Sequence, residues 1–176
     1  MPLGVVTLAE LFHNQLDDPD VHAKMVAEVK ARLQAVEGLS PPGAHPAGPF
    51  HMLGTSGTVT TIAGIHLKLD RYERAKVDGT WLARADALAV AHQIATMDRA
   101  SRAAQPCIGT ERAELVIPGL AIFQAIFELW PAPRLRVADR GLREGMLLAL
   151  MGPKEETHRR RRQRRGGRHR RFRRRG

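Results

Sequence analysis

The sequence predicts an α/β fold, and three observations carry that prediction. A short apolar run, Phe50 to Leu53, breaks into Gly54-Thr55-Ser56-Gly57-Thr58 and passes at once into the apolar-periodic Val59 to Leu67. That is the form of a strand, a tight turn and a helix start. The order recurs near the end, where Arg134 to Ala138 alternates as a strand, Asp139-Arg140-Gly141 turns, and Leu142 to Met151 reads as helix. Other segments carry apolar residues at helical spacing, such as Val21, Met25, Val29, Leu33 and Val36.

Composition narrows the class. A chain of 176 residues with 43% hydrophobic residues can bury one core. No apolar run approaches the roughly 20 residues that span a bilayer, and Met1 to Val6 has no basic region of a secretory signal. One cysteine, Cys107, excludes an internal disulfide and fits a reducing cytoplasm. The net charge of +10 divides unevenly: from Lys154 on, one Lys and twelve Arg face Glu155 and Glu156, giving 13 − 2 = +11. Residues 1–153 hold the other 15 basic and 16 acidic side chains, or −1. The expected organisation is a neutral globular part, 1–153, and a basic tail, 154–176.

The elements follow in order. Leu3 to Leu8, with β-branched Val5, Val6 and Thr7, reads as a strand. Asp20 is placed to cap a helix that ends at Gly38, with His22 at the edge of its apolar stripe. Residues 38–49, with Pro41, Pro42, Pro46 and Pro49, read as a surface loop. After the glycine turn and its helix, Arg71 to Arg74 is a polar connection, and Lys76 to Leu82 is extended around the turn pair Asp78-Gly79. A helix runs from Ala83 to Asp98, and Pro106 to Gly109 is a loop whose Cys107, with no His or acid near it in sequence, reads as a buried or incidental thiol rather than a nucleophile. Thr110, with Glu111 and Glu114 behind it, opens a long buried helix that Pro118-Gly119 should kink and Trp130-Pro131 stops. Gly152-Pro153 ends the last helix.

Chemistry concentrates at the two turns. Gly54 and Gly57 let a ligand approach the main chain, and the first amides of the helix beyond them welcome an anion. Thr55, Ser56 and Thr58 add hydroxyl donors, or merely cap the helix. The absence of Lys after Gly57 excludes a Walker loop. At the second turn Asp139, Arg140 and Arg143, with Glu144, either cap a solvated helix end or place arginines where α/β proteins bind phosphate. No His, Cys or carboxylate cluster has metal-ligand spacing.

Five stretches carry a family resemblance. Leu3 to Glu10, Gly54 to Gly64, Val77-Asp78-Gly79, Ile108-Gly109-Thr110-Glu111-Arg112-Ala113 and Ala138-Asp139-Arg140-Gly141-Leu142-Arg143-Glu144-Gly145 stand in register. Residues 2–152 resemble the exopolyphosphatase and guanosine pentaphosphate phosphohydrolase family of actin-like phosphotransferases. The resemblance implies a ribonuclease-H-like lobe, here an incomplete sheet flanked by helices. It implies release of terminal phosphate from polyphosphate or guanosine pentaphosphate in a cleft between two lobes, with Mg2+ assisting. By that analogy Gly54, Thr55, Ser56, Gly57 and Thr58 bind phosphate or nucleotide, and Asp139, Arg140 and Arg143 stand near the cleft.

The departures shape the expectation as much as the match. The family's first lobe, with its catalytic glutamate, and a Gly-Gly-Gly-Ser-Thr-Glu phosphate turn precede the segment that Leu3 opens. Neither occurs in this chain. It therefore reads as the C-terminal part of the second lobe, inactive by itself, with Mg2+ held mainly by the upstream part and neither Glu10 nor Glu144 in the role of base. A first strand at Leu3 would have an unpaired edge, and a homodimer or a separate first-lobe chain is the matching partner. The tail, Arg159 to Gly176, should stay disordered by self-repulsion. It offers the alternative function, a non-catalytic module that binds nucleic acid or polyphosphate through counterion release.

Overall fold

A computed structural model describes residues 3–13, 20–36, 38–39 and 50–151. The chain forms two compact units, one through Asp139 and one from Arg140. The first holds helices α1 (Val5–Leu11), α2 (Val21–Gln34), α3 (Gly57–His66), α4 (Arg74–Val77), α5 (Arg84–Ala95), α6 (Arg99–Ala104) and α7 (Val116–Leu129). Its strands are β1 (Met52–Gly54), β2 (Trp81–Ala83) and β3 (Arg134–Val137). The second holds α8 (Leu142–Met151), with the Gly141 amide donating to Glu144 Oε2 at 2.8 Å. Both the Pro-rich stretch from Ser40 to Pro49 and the tail lie outside the described residues, as does the expected boundary at 153.

α7 organises the first unit. Val116, Ile117, Leu120, Ala121, Phe123, Ala125, Phe127 and Leu129 are all buried. A helix that is apolar around its circumference must be enclosed, and α1, α2, α3 and α5 all pack on it. Pro118 stands in its first turn, where a missing amide hydrogen breaks no helical bond. The helix is continuous through Pro118-Gly119. α2 brings Val21, Met25, Val26 and Val29 to the same core, and Lys30 Nζ meets Glu128 Oε2 of α7 at 2.7 Å.

The sheet order is β1-β3-β2, with β1 parallel and β2 antiparallel to β3. Leu82, Leu135 and Val137 face the core, while Leu53, Trp81 and Arg134 are exposed on the opposite face. The parallel pair brings the ends of β1 and β3 together, where the Ala138 amide donates to the Gly54 carbonyl at 2.9 Å.

Several expectations need correction. Leu3 to Leu8 is not a strand, because α1 occupies it. The Gly4 amide donates to Thr7 Oγ1 at 2.7 Å, and that hydroxyl donates to the Gly4 carbonyl at 3.0 Å. Leu8 and Phe12, one helical turn apart, then both reach the core. Packing thus overrides the β preference of Val5, Val6 and Thr7, and Leu3 opens no strand with an unpaired edge. The long helix expected from Thr110 is divided: Gly109 takes φ +73°, a 3-10 turn covers Thr110–Arg112, and α7 begins only at Val116. α4 forms where Lys76 and Val77 were expected to be extended, and α6 forms where no element was expected.

Candidate phosphate-binding site

α3 begins two residues earlier than its apolar period suggests. Ser56 is its N-cap, with extended backbone, and Ser56 Oγ accepts the Val59 amide at 3.3 Å. Thr60 NH donates to the Ser56 carbonyl at 3.1 Å. The Gly57 and Thr58 amides precede the first possible helical bond and have no partner among the described residues. They form the positive end of a ten-residue helix.

The two glycines serve different ends. Neither lies in the left-handed region. At Gly54 a Cβ would stand 2.8 Å from both Val59 methyls and 3.2 Å from Leu135 Cδ1. Gly54 therefore lets α3 close onto the sheet. At Gly57 the nearest atom to such a Cβ is Arg112 Nη1, at 3.9 Å. A guanidinium thus lies beside the turn.

The space between them is a pocket of about 230 Å³, lined by Val5, Ser56, Gly57, Thr58, Thr61, Ile108, Arg112, Leu115 and Val116. Arg112 is the only charged residue in that lining, and no carboxylate faces it among the described residues. Gly54 and Thr55 lie beside the pocket without lining it. Thr55, Ser56 and Gly57 are exposed, and Thr58 is half-buried because its side chain rests on Gly119 of α7.

The segment carrying Arg112 is held from behind. Asp98 Oδ1 accepts the Ser101 amide at 2.6 Å, which starts α6 and holds the Asp98 carboxyl below its ordinary range. Arg102 Nε donates to the Ala113 carbonyl at 2.8 Å, and Arg99 Nε pairs with Glu114 Oε1 at 2.8 Å. Burial lowers the pKa of Arg102. From the other side, Thr61 Oγ1 donates to the Cys107 carbonyl at 3.3 Å. Cys107 is buried against Gly64, and burial pushes its thiol up. It is a packing residue.

Asp139 joins a hydrogen-bonded network at the end of β3. Its Oδ2 accepts the Tyr72 hydroxyl at 2.7 Å and meets Arg74 Nε at 3.2 Å, and Arg74 Nη2 donates to its carbonyl. The Asp139 amide donates to Asp78 Oδ1 at 2.9 Å. Burial and then the Asp139 hydrogen bond push the Tyr72 hydroxyl up to about 12. This network pins residues 72–78 to the end of β3. Arg140 and Arg143 lie in the second unit, around the start of α8. Arg112 is the site residue that sequence reasoning missed. Its stretch, Ile108 to Ala113, was legible only as a motif.

The sequence matches the Ppx/GppA phosphatase family over residues 1–154. The chain belongs to that family. Among solved structures it is similar to the Aquifex aeolicus member of the Ppx/GppA family, at 26% identity and a TM-score of 0.68, over 86% of this chain and 47% of that one. It is also similar to the type II variant of the Aquifex aeolicus Ppx/GppA phosphatase, at 25% identity and TM-score 0.61, over 85% and 47%. An exopolyphosphatase-like protein at 24% identity shares the fold, with TM-score 0.72 over 84% and 48%. The chain spans about half the length of these structures. No curated protein matches it. The fold is the α/β, ribonuclease-H-like lobe of actin-like type, with a small mixed sheet flanked by helices. No described helix is long and apolar enough to cross a membrane.

Proposed function

We propose that this chain supplies a phosphate-binding wall of a phosphoanhydride hydrolase acting on guanosine pentaphosphate or polyphosphate. One observation carries the reading: in a Ppx/GppA family chain, the open amides of Gly57 and Thr58 and the guanidinium of Arg112 converge on one pocket. Phosphoryl transfer depends chiefly on positioning and on charge stabilisation of the transferred group. Backbone amides at a helix start and a planar guanidinium both supply that to phosphate oxygens. The apolar side of the pocket, Val5, Ile108, Leu115 and Val116, favours a ligand with a planar organic part beside its phosphates. Guanosine tetraphosphate and pentaphosphate have one, and polyphosphate does not.

Hydrolysis also needs a group to orient and deprotonate water, and no carboxylate lines the pocket. Nor does any group of three or more His, Cys, Asp or Glu side chains converge among the described residues. The part assigned here is binding and charge stabilisation.

Calorimetric titration of guanosine tetraphosphate into wild type and Arg112→Ala tests this. Loss of a hydrogen bond to a charged group costs about 1.5–3 kcal/mol, so affinity should fall roughly 10- to 150-fold. Arg112→Lys should recover part of it. Equal affinity in wild type and Arg112→Ala would remove Arg112 from the site.

A further inference from the structure

The face of the sheet turned away from the core carries a second cationic arrangement, separate from the pocket. The register sets Arg136 of β3 between Leu53 of β1 and Trp81 of β2, with Arg134 opposite Ala83 in the next outward row. The Arg134 and Arg136 guanidinium carbons lie 4.9 Å and 5.0 Å from the Trp81 ring centroid. His51 meets the same ring edge-on at 4.8 Å. The Arg136 guanidinium also lies over Gly79, where a Cβ would come within 3.1 Å of Nη2, and Gly79 has φ +83°. A side chain at 79 would crowd the guanidinium, so the backbone leaves room for it.

Neither Arg134 nor Arg136 is ion-paired among the described residues, although Lys30, Arg32, Arg74, Lys76 and Arg99 each meet a carboxylate. Trp81 is 42% exposed and Leu53 63% exposed. Two guanidiniums with no carboxylate partner among the described residues, gathered on a partly exposed indole, make this face attractive to an anion that also presents flat rings. We propose that the outer sheet face, built on Trp81, Arg134 and Arg136, binds single-stranded nucleic acid by base stacking and phosphate pairing. Aromatic and guanidinium planes on a sheet are a platform on which unpaired bases stack. An inorganic polyanion or an acidic peptide would use the cations and leave the ring idle. The basic tail adds sequence-independent attraction, whereas contact with Trp81 is local.

The test uses the full chain carrying Trp130→Phe, which leaves Trp81 as its only tryptophan of the two. Titration with a single-stranded RNA decamer should quench Trp81 fluorescence, while polyphosphate and polyglutamate of matched charge should not. Trp81→Ala should weaken RNA binding about 5- to 150-fold, the loss of one stacked base, and leave polyphosphate binding unchanged. Arg134→Gln with Arg136→Gln should weaken RNA binding and flatten its salt dependence. A single-stranded DNA arm separates ribose recognition from stacking, since equal binding assigns the affinity to bases and phosphates. Absent quenching would overturn the proposal, as would unchanged RNA affinity in Trp81→Ala or equal sensitivity of RNA and polyphosphate to it. Trp81-dependent polyglutamate binding would reassign the face to an acidic protein. If Trp81→Ala fails to fold, quenching in the Trp130→Phe chain still decides the question.

Discussion

Gly64 and His22 show how much a single side chain decides here. A Cβ at Gly64 would stand 2.7 Å from Cys107 Sγ, which is packed and has little freedom to retreat. Overpacking of this kind costs about 1–3 kcal/mol, against a gain of about 1 kcal/mol in helix propensity. Gly64→Ala should therefore destabilise the protein by about 1 kcal/mol in urea unfolding. Gly64→Ala combined with Cys107→Ala should recover much of the loss, and recovery of none would place the strain elsewhere. His22 Nε2 is buried without a hydrogen-bond partner among the described residues, and its pKa is lowered by burial and by His92, with Glu128 opposing. The unfolded chain, with a histidine pKa of about 6.5, then binds the proton more readily. Stability should fall as pH drops below about 6.5 and level off once the folded-state value is passed. Comparing the unfolding midpoints of wild type and His22→Gln at pH 7.5 and 5.5 checks the sign, because the variant should lose less on acidification. The turn at 54–58 was legible from its Gly, Ser and Thr content. Arg112 was not, because only the fold brings it beside Gly57.

Elements were readable where local chemistry and tertiary packing agree. β1, α3, β3 and α8 each combine an apolar period with a turn or a cap, and they stand close to where the sequence puts them. α1 was misread because its three β-branched residues outvote a stripe of only Leu8 and Phe12, which matters only once α7 lies beneath it. Leu8→Ala should accordingly cost about 2–5 kcal/mol, the range for truncating a buried leucine. A loss below 0.5 kcal/mol would mean that α1 does not dock on α7. α6 has no apolar stripe at all and no buried residue. It is specified by the Asp98 cap and by arginine contacts to residues 97, 113 and 114, none of which a local pattern reveals.

At the scale of the whole molecule, residues 1–153 carry a net charge of −1 and residues 154–176 a charge of +11, on a chain about half as long as the family structures it matches. The tail should dominate salt dependence. Removing Arg159 to Gly176 should flatten the fall of nucleic-acid affinity with salt while leaving quenching of Trp81 in place. Since the pocket holds Arg112 and open amides but no carboxylate, the purified chain should release no phosphate from guanosine pentaphosphate or polyphosphate. Clear turnover would mean that a base has been overlooked. The central claim is that the start of α3 and Arg112 form one phosphate site. It is tested most directly by following backbone amide shifts of the full chain during titration with guanosine tetraphosphate. Shifts at Gly57, Thr58 and Arg112 that saturate together, and that vanish at Gly57 and Thr58 in Arg112→Ala, are the predicted result. Saturable binding with those amides unmoved while others respond would contradict it.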